Sequence, residues 1–147
     1  MPIYFYSPKE PEFGCFSNFS RHGFELDSVY WPTSEHYFQA QKFVGTPHVE
    51  AIRSASTPKQ AAEMGRDRTR PLRADWEQVK DDVMRRAVLR KFEVHADIKA
   101  VLVSTGDALI VENAPGDYYW GCGKNGTGLN RLGTILMEVR IVLCGPK

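Results

Sequence analysis

Clusters of apolar residues near the start of the chain predict short strands. Residues 3–6 (Ile-Tyr-Phe-Tyr), 24–26 and 29–31 are rich in β-branched and aromatic side chains. Asp27 and Ser28 separate the last two segments by two residues, which is the spacing of a tight hairpin. We therefore expect a small antiparallel sheet in this part of the chain.

Most of the remaining chain has helical spacing of its apolar residues, with recognisable start and stop signals. Thr33 or Ser34 can cap a helix that runs through residue 43, and Thr57 opens a second helix that ends at Gly65. A long amphipathic helix follows Asp75. Its expected buried stripe is Val79, Val83, Ala87 and Phe92. Further elements are predicted as helices over 96–103 and 132–143 and a strand over 108–111.

These elements predict a mixed α+β fold with helices in the majority. The 147 residues show no internal repeat and no composition shift, so we expect residues 1–147 to form a single domain. With 42% hydrophobic and 25% charged residues, the composition is that of an ordinary globular protein. Disorder is therefore not expected.

Charge changes this picture only locally. The net charge of +1 argues against a dedicated nucleic-acid binder, including a structural RNA-binding domain. Between residues 66 and 91, however, nine basic residues face five acidic ones. Arginines at every second position from Arg66 to Arg70 predict a local site for a phosphate, with Trp76 placed to cover a flat base. A solvated loop is the alternative.

Several classes of protein are disfavoured by what the sequence lacks. Three cysteines without a C-x-x-C pair indicate neither a disulfide framework nor a zinc cage, and a reducing cytoplasm fits best. No segment resembles a signal peptide or a membrane span. The four histidines have no ligand spacing, so we expect no metal and no cofactor.

The segment of residues 31–43 (WPTSEHYFQAQKF) carries the first candidate chemistry. Glu35, Gln39 and Lys42 follow helical spacings of four and three, which places a carboxylate, an amide and an amine on one face. Trp31 and Tyr37 flank the carboxylate, and burial against rings adjusts a carboxyl group for acid–base work. A solvated polar face is the alternative interpretation.

A glycine-rich loop carries the second candidate chemistry. Residues 115–128 contain five glycines, and Gly121 and Gly123 are expected to let backbone amides approach an anion or a sugar. Asp117, Trp120 and Lys124 add a carboxylate, a stacking surface and a cation. The G-x-G-x-x-G spacing is not a dinucleotide fingerprint here, because no further parallel strand and acidic residue follow. A merely flexible loop is the alternative.

Taken together, five segments resemble the YbiA-like proteins of the NADAR (NAD and ADP-ribose) superfamily. They are residues 16–19 (FSNF), 31–43, 64–68 (MGRDR), 120–123 (WGCG) and 130–133 (NRLG), the last with Leu136-Met137. The resemblance implies an α+β fold of the YbiA type, and N-glycosidase activity without a cofactor. It implies substrates in which ribose C1 is bonded to an exocyclic amine of a heterocycle. They are phosphorylated ribosylamino-pyrimidine intermediates of riboflavin synthesis or ADP-ribosylated guanine, which can lie within nucleic acid.

By this resemblance Glu35 matches the catalytic glutamate, and Trp76 and Asp117 match other functional positions. Lys42, a further catalytic candidate, matches the lysine of the family's Q-A-Q-K-F segment. The remaining expected contacts to substrate are Asn18, Trp31, Gln39, Arg66, Arg68, Trp76, Trp120, Gly121, Gly123, Lys124 and Asn130. Two departures from the family pattern stand out, Ser28 in place of glycine in the hairpin and Cys122 at a position where an acidic residue occurs. Neither removes a group that the chemistry needs.

Two mechanisms remain open at this stage. Glu35 is the acid–base candidate in both, while Lys42 either attacks the opened sugar to form a Schiff base or leaves the attack to water. A non-catalytic module that binds ADP-ribose or NAD is the alternative from another class. It needs the aromatic and arginine groups but no acid, so the pairing of Glu35 with Lys42 favours an enzyme.

Overall fold

A computed structural model describes residues 1–145 of the chain and confirms the α+β class. It contains four strands, β1 (Ile3–Phe5), β2 (Phe24–Leu26), β3 (Val29–Trp31) and β4 (Ile110–Glu112). The helices are α1 (Ser34–Gln41), α2 (His48–Arg53), α3 (Pro58–Gly65), α4 (Trp76–Val94), α5 (Ala96–Ser104) and α6 (Arg131–Cys144), with one 3₁₀ turn at Gly14–Phe16.

Two compact units are distinguished by their internal contacts. The hairpin unit is Arg21–Lys91, and the terminal unit combines Met1–Ser20 with the residues from Phe92 onward. The expectation of a single domain over residues 1–147 stays a prediction.

The hairpin unit begins with the predicted antiparallel pair. β2 and β3 pair with Phe24 opposite Trp31, and the connecting residues Asp27 and Ser28 have φ of 56° and 65°. Positive φ at both central residues is the type I′ geometry, which matches the twist of the strands. A turn that usually prefers glycine is therefore made here by Asp-Ser.

Helix α1 follows the hairpin and is buried along almost its whole length. The Thr33 side chain accepts a hydrogen bond from His36 N, so Thr33 is the N-cap. Every residue from Ser34 to Ala40 is buried, and α1 packs against α2, α3 and β3. Because all sides are covered, α1 lacks the solvated face that the helical pattern suggests.

Helices α3 and α4 start where their caps predict. Thr57 Oγ1 accepts from Gln60 N at 3.0 Å, and α3 begins at the next residue. The Gln60 side chain accepts from Ser56 N, one residue before the Thr57 N–H that a capping box would use.

In α4, Val83 is buried as predicted whereas Val79 is only partly covered. Helix α2 was not predicted, since its six residues are too few to show a period.

The terminal unit corrects the predicted partner of the first strand. β1 pairs in parallel with β4, with Ile3 opposite Ile110, instead of joining the hairpin. The partners lie more than a hundred residues apart in sequence, and local patterns carry no information about such pairing. Phe5, Phe16 and Phe92 pack with ring centroids 5.8 and 6.0 Å apart and form part of the core of this unit.

Helix α6 closes the terminal unit on the predicted stripe. Its buried apolar residues are Leu132, Ile135, Leu136 and Val139, and the helix packs on β4 and α5. At Gly133 an added Cβ would lie 2.1 Å from Ile110 O, so only glycine allows this approach. Among residues 1–145, no helix combines the length and apolar character needed to cross a membrane.

Replacing Ser28 with glycine should stabilise the protein. Glycine adopts a φ of 65° without the steric cost that a side chain pays, and its greater entropy in the unfolded chain offsets only part of this gain. We expect the free energy of unfolding in urea to rise by about 0.5–1 kcal/mol.

Ser54→Gly is the matched control, because Ser54 has a φ of −85° and gains nothing from glycine. That variant should lose stability. If Ser28→Gly lowered the free energy of unfolding as much as Ser54→Gly does, the turn would not be under the strain described.

Candidate active site

Glu35 lies in the first turn of α1 and is only 7% exposed. Gln39, one turn further on, donates from Nε2 to Glu35 Oε2 at 2.8 Å. The predicted alignment of these two side chains is therefore present, but the face that carries them is buried. The first turn is also the positive end of the helix, which favours an ionised carboxylate there.

Lys42 follows directly after α1 and is half-buried. Its Nζ donates to Gly65 O at 3.2 Å and lies 5.9 Å from the ring centroids of Phe38 and Trp76. Burial lowers the pKa of Lys42; Glu35 opposes this, and the charges of Arg66 and Lys80 add to it. Lys42 therefore loses its proton more readily than an exposed lysine does.

A cleft of about 690 Å³ opens beside Lys42 within the hairpin unit. Its lining is Lys42, Phe43, Gly65, Arg66, Asp67, Arg68, Arg70, Pro71, Leu72 and Trp76. The volume is in the range of small-molecule sites. Cations outnumber the single carboxylate of Asp67, so the cleft favours an anionic ligand.

The arginines of the cleft differ in how firmly they are held. Arg70 Nη1 bonds His48 Nδ1 at 2.6 Å, and Arg70 Nε lies 3.7 Å from Asp67 Oδ2. Arg66 and Arg68 are exposed and have no ion-pair partner within residues 1–145. These two guanidinium groups are accordingly available to a ligand.

Trp76 begins α4 and forms the aromatic wall of the cleft. It packs against Phe38 with ring centroids 5.1 Å apart and is 6% exposed. The predicted proximity of an aromatic ring to the arginine segment is thus present. Little of the Trp76 ring is open to a ligand, because the side chain is almost fully buried.

Trp31 has a different role from the one expected. The side chain is 2% exposed, donates from Nε1 to Leu26 O at 3.1 Å and stacks edge-on against Tyr37. Tyr37 donates to Asp27 Oδ2 and accepts from Arg86, and burial raises its pKa to about 12. Trp31 is therefore part of the core, because both its ring and its N–H are already engaged.

In the terminal unit, Asp117 organises the glycine-rich loop. Its Oδ1 accepts from Tyr119 N at 3.0 Å and from Trp120 N at 2.8 Å. Trp120 is half-buried and packs edge-on against Tyr119, with centroids 4.8 Å apart. Lys124 is exposed in the same loop. One carboxylate oxygen of Asp117 therefore serves the turn itself.

The two predicted anion-binding glycines are explained by packing. Gly123 N donates to Ala114 O at 3.1 Å, and a Cβ on Gly123 would lie 2.3 Å from the Tyr118 ring. A Cβ on Gly121 would lie 2.9 Å from that of Ala114. The Gly123 amide is thus used within the loop, and a tyrosine ring lies where a side chain would be. Contact of Gly121 and Gly123 with an anion or a sugar stays a prediction.

Asn18 and Asn130, the two asparagines predicted to contact substrate, belong to the terminal unit. Asn130 has a φ of 53°, donates from Nδ2 to Ile110 O at 2.9 Å and accepts at Oδ1 from Glu112 N at 2.9 Å. Its amide bonds β4, and its assignment as a contact to substrate stays a prediction. Asn18 is 9% exposed, in the segment after the 3₁₀ turn.

The hairpin unit thus brings together six of the predicted site residues. They are Glu35, Gln39, Lys42, Arg66, Arg68 and Trp76. The others belong to the terminal unit, apart from Trp31 in the core of the hairpin unit. Sequence reasoning missed Phe38, Gly65 and Arg70. Of these only Arg70 carried a signal, as a member of the arginine segment. No group of three or more His, Cys, Asp and Glu is arranged to hold a metal ion within residues 1–145.

This fold and cleft define a NADAR domain, and the chain belongs to the NADAR family, whose model matches residues 4–144. An N-glycosidase of Nostoc punctiforme is 56% identical over 95% of this chain and 91% of that protein. N-glycosidase YbiA of Escherichia coli is 52% identical over 94% of this chain and 86% of that protein. The NMR structure of YbiA has a TM-score of 0.90 at 51% identity, covering 98% of this chain and 85% of YbiA.

A longer relative adds a second context. The chloroplastic riboflavin biosynthesis protein PYRR of Zea mays is 42% identical over 90% of this chain, which corresponds to 24% of the maize protein. The predicted family and the YbiA-like fold are confirmed by these matches.

Arg66→Ala should raise the pKa of Lys42, because the substitution removes one of the positive charges that disfavour the ammonium form. NMR titration of side-chain-labelled lysine measures this directly.

Lys59→Ala is the control, since Lys59 is an exposed residue of α3 that does not act on Lys42. An unchanged Lys42 titration in Arg66→Ala would mean that the guanidinium does not act on the amine.

Proposed function

We propose that the protein hydrolyses the bond between ribose C1 and an exocyclic amine of a heterocycle in a 5-phosphorylated ribosylamine. The activity named for the relatives of 52–56% identity, N-glycosidase, confirms the predicted enzyme class. The relative from maize is named for riboflavin biosynthesis, and this supports phosphoribosylamino-pyrimidines as substrates over ADP-ribosylated guanine.

One observation carries the proposal: a lysine whose pKa is lowered lies at the wall of an arginine-lined cleft, two helical turns from a buried carboxylate. The exposed guanidinium groups of Arg66 and Arg68 suit a sugar phosphate. With the phosphate held there, the sugar extends toward Lys42 and Trp76. A site that only bound nucleotides would gain nothing from a readily deprotonated amine.

The first half of the proposed reaction exchanges one amine for another. Glu35 protonates the ring oxygen as its bond to C1 breaks, and the nitrogen lone pair forms a C1=N iminium. Neutral Lys42 Nζ adds to C1, a proton moves from Nζ to the heterocyclic nitrogen, and the heterocyclic amine leaves. The sugar is then bound to Lys42 as a protonated imine.

The second half consumes one water. The Glu35 carboxylate accepts a proton from water as the oxygen adds to C1, and collapse of the carbinolamine expels Lys42 and leaves the open-chain sugar phosphate. No group is oxidised or reduced. The role of Asp117 in orienting the ribose hydroxyls stays a prediction.

Direct attack of water on an oxocarbenium-like C1 is the competing mechanism. It needs Glu35 but gives Lys42 only a contact to a phosphate or hydroxyl group. The lowered pKa of Lys42 favours the covalent route, because an ammonium suits such a contact better than a neutral amine does.

The substrate is tested by incubating the protein with a phosphoribosylamino-pyrimidine and, separately, with ADP-ribosylated guanine. Release of ribose 5-phosphate from the first is expected. Glu35→Gln should lower its rate on the order of 100-fold or more, because the amide cannot transfer the proton.

Glu63→Gln on the exposed side of α3 is the matched control and should keep the full rate. Cleavage of ADP-ribosylated guanine alone would replace the proposed substrate, and cleavage of neither would refute the proposed function.

Borohydride present during turnover should reduce the imine and leave the sugar on Lys42 as a stable secondary amine. Lys42→Arg retains the charge but cannot form an imine, so trapping and most of the activity should disappear. Mass spectrometry of the digested protein locates the adduct.

Lys59→Arg serves as the control and should leave both trapping and rate unchanged. An active Lys42→Arg variant, or an active enzyme from which nothing is trapped, would favour direct attack by water.

A further inference from the structure

Gly65, the last residue of α3, lies directly against the Gln39 side chain. A Cβ at position 65 would lie 2.0 Å from Gln39 Oε1, 2.6 Å from Cδ and 2.8 Å from Cβ. Real side chains do not approach below about 3.0 Å, since repulsion rises steeply there. Rotation of the amide alone does not resolve this overlap, because Gln39 Cβ is also too close.

The usual reason for a glycine at a helix end does not apply here. Glycine favours the position after a helix because it adopts positive φ without cost. Gly65 lies within α3 and its φ is not positive, while Arg66 takes the C-cap position with a φ of −91°. The absent side chain of Gly65 therefore serves close approach and not backbone conformation.

The Gln39 side chain that uses this space is fixed at one end and confined at the other. Nε2 donates to Glu35 Oε2, and the side chain as a whole is 3% exposed. Oε1 is buried without a hydrogen-bond partner in the described part of the chain. A methyl group at position 65 would therefore displace the side chain whose Nε2 bonds Glu35.

The same glycine also acts on the second reactive group. Gly65 O accepts from Lys42 Nζ at 3.2 Å. Gly65 thus contacts two groups. One is the Gln39 side chain, which bonds the Glu35 carboxylate, and the other is the Lys42 amine, which is proposed to attack C1.

We propose that Gly65 is a positioning residue for the reaction. Its missing side chain keeps Gln39 extended so that Nε2 orients the Glu35 carboxylate, and its carbonyl orients the Lys42 amine. Gln39 accordingly acts on Glu35 and not on the substrate, which revises the binding role that its spacing suggests. This inference rests on the proposed function for its effect on rate.

The test is a double-substitution cycle with Gly65→Ala, Gln39→Ala and both together, assayed on the phosphoribosylamino-pyrimidine. Each single substitution should lower kcat on the order of 10- to 100-fold with KM little changed, because Glu35 is misplaced while the phosphate contacts remain. In the double variant the second substitution should cost nothing more, since Gly65 acts through Gln39.

Independent losses that multiply in the double variant would overturn the proposal, and so would a Gly65→Ala enzyme with normal kcat. Gln41→Ala is the matched control. Gln41 is a partly exposed glutamine of the same helix whose side chain makes no hydrogen bond within residues 1–145. It should keep the full kcat.

A second readout does not depend on turnover. NMR titration of the Glu35 carboxyl carbon should move to higher pH in Gly65→Ala and in Gln39→Ala by the same amount, because both remove a donor to the carboxylate. Lys42, the charged group that acts electrostatically on Glu35, stays in place in each variant. If the pKa of Glu35 rises equally in both variants but the protein cleaves neither substrate, the proposed function is refuted and the positioning role of Gly65 stands. If the pKa of Glu35 does not change, the positioning role of Gly65 is refuted.

Folding is monitored in the same set. Gly65→Ala should lower the melting temperature, and adding Gln39→Ala should restore part of the loss, because the shortened residue makes room for the methyl group. If Gly65→Ala alone does not fold, the double variant still reports whether a methyl group at position 65 is harmful once the Gln39 side chain has been shortened. A double variant less stable than both single variants would contradict the proposed overlap.

Discussion

The hairpin unit depends on a short helix that has no solvated side. In α1 the residues from Ser34 to Ala40 are all buried, although four of them (Glu35, His36, Tyr37 and Gln39) carry polar or ionisable side chains besides the hydroxyl of Ser34. Each of those groups must find its partner inside the protein, because burial without a hydrogen bond costs several kcal/mol. His36 bonds Thr33 and Ala55 O, and Gln39 bonds Glu35. Tyr37 bonds Asp27 of the hairpin, so the partners come from the hairpin, from the N-cap Thr33, from α1 itself and from Ala55 ahead of α3.

Local signals in the sequence predict where the elements begin. They say little about which other elements pack against each face. Thr33 and Thr57 cap their helices as predicted, because capping involves residues within one turn. The helical spacing also aligned Glu35 with Gln39 correctly. Whether that face meets water or another helix is decided by α2 and α3, and α2 is too short to show a period. The parallel pairing of β1 with β4 is likewise beyond local patterns, since its partners are distant in sequence.

The glycines show that the sequence can indicate a close approach to the backbone without identifying the group that approaches. Gly123 does occupy a position that only glycine tolerates, with a φ of 73°, but a tyrosine ring of the same loop fills the space above it. Gly65 was predicted only as the end of a helix, yet its missing side chain leaves room for Gln39, the hydrogen-bond partner of the Glu35 carboxylate. Residue type alone reports that the backbone is approached closely. Which group approaches is a property of the folded structure.

Asn130 shows how a small sheet is kept to two strands. β4 has one edge paired with β1, and the opposite edge presents Ile110 O and Glu112 N, both of which bond the Asn130 side chain. Glu112 O on that edge accepts from Cys122 N. The side-chain amide imitates the peptide unit of a neighbouring strand, and with the loop amide it occupies the hydrogen-bonding groups of this edge. An extended segment of another chain therefore finds no template there, which protects β4 from edge-to-edge aggregation.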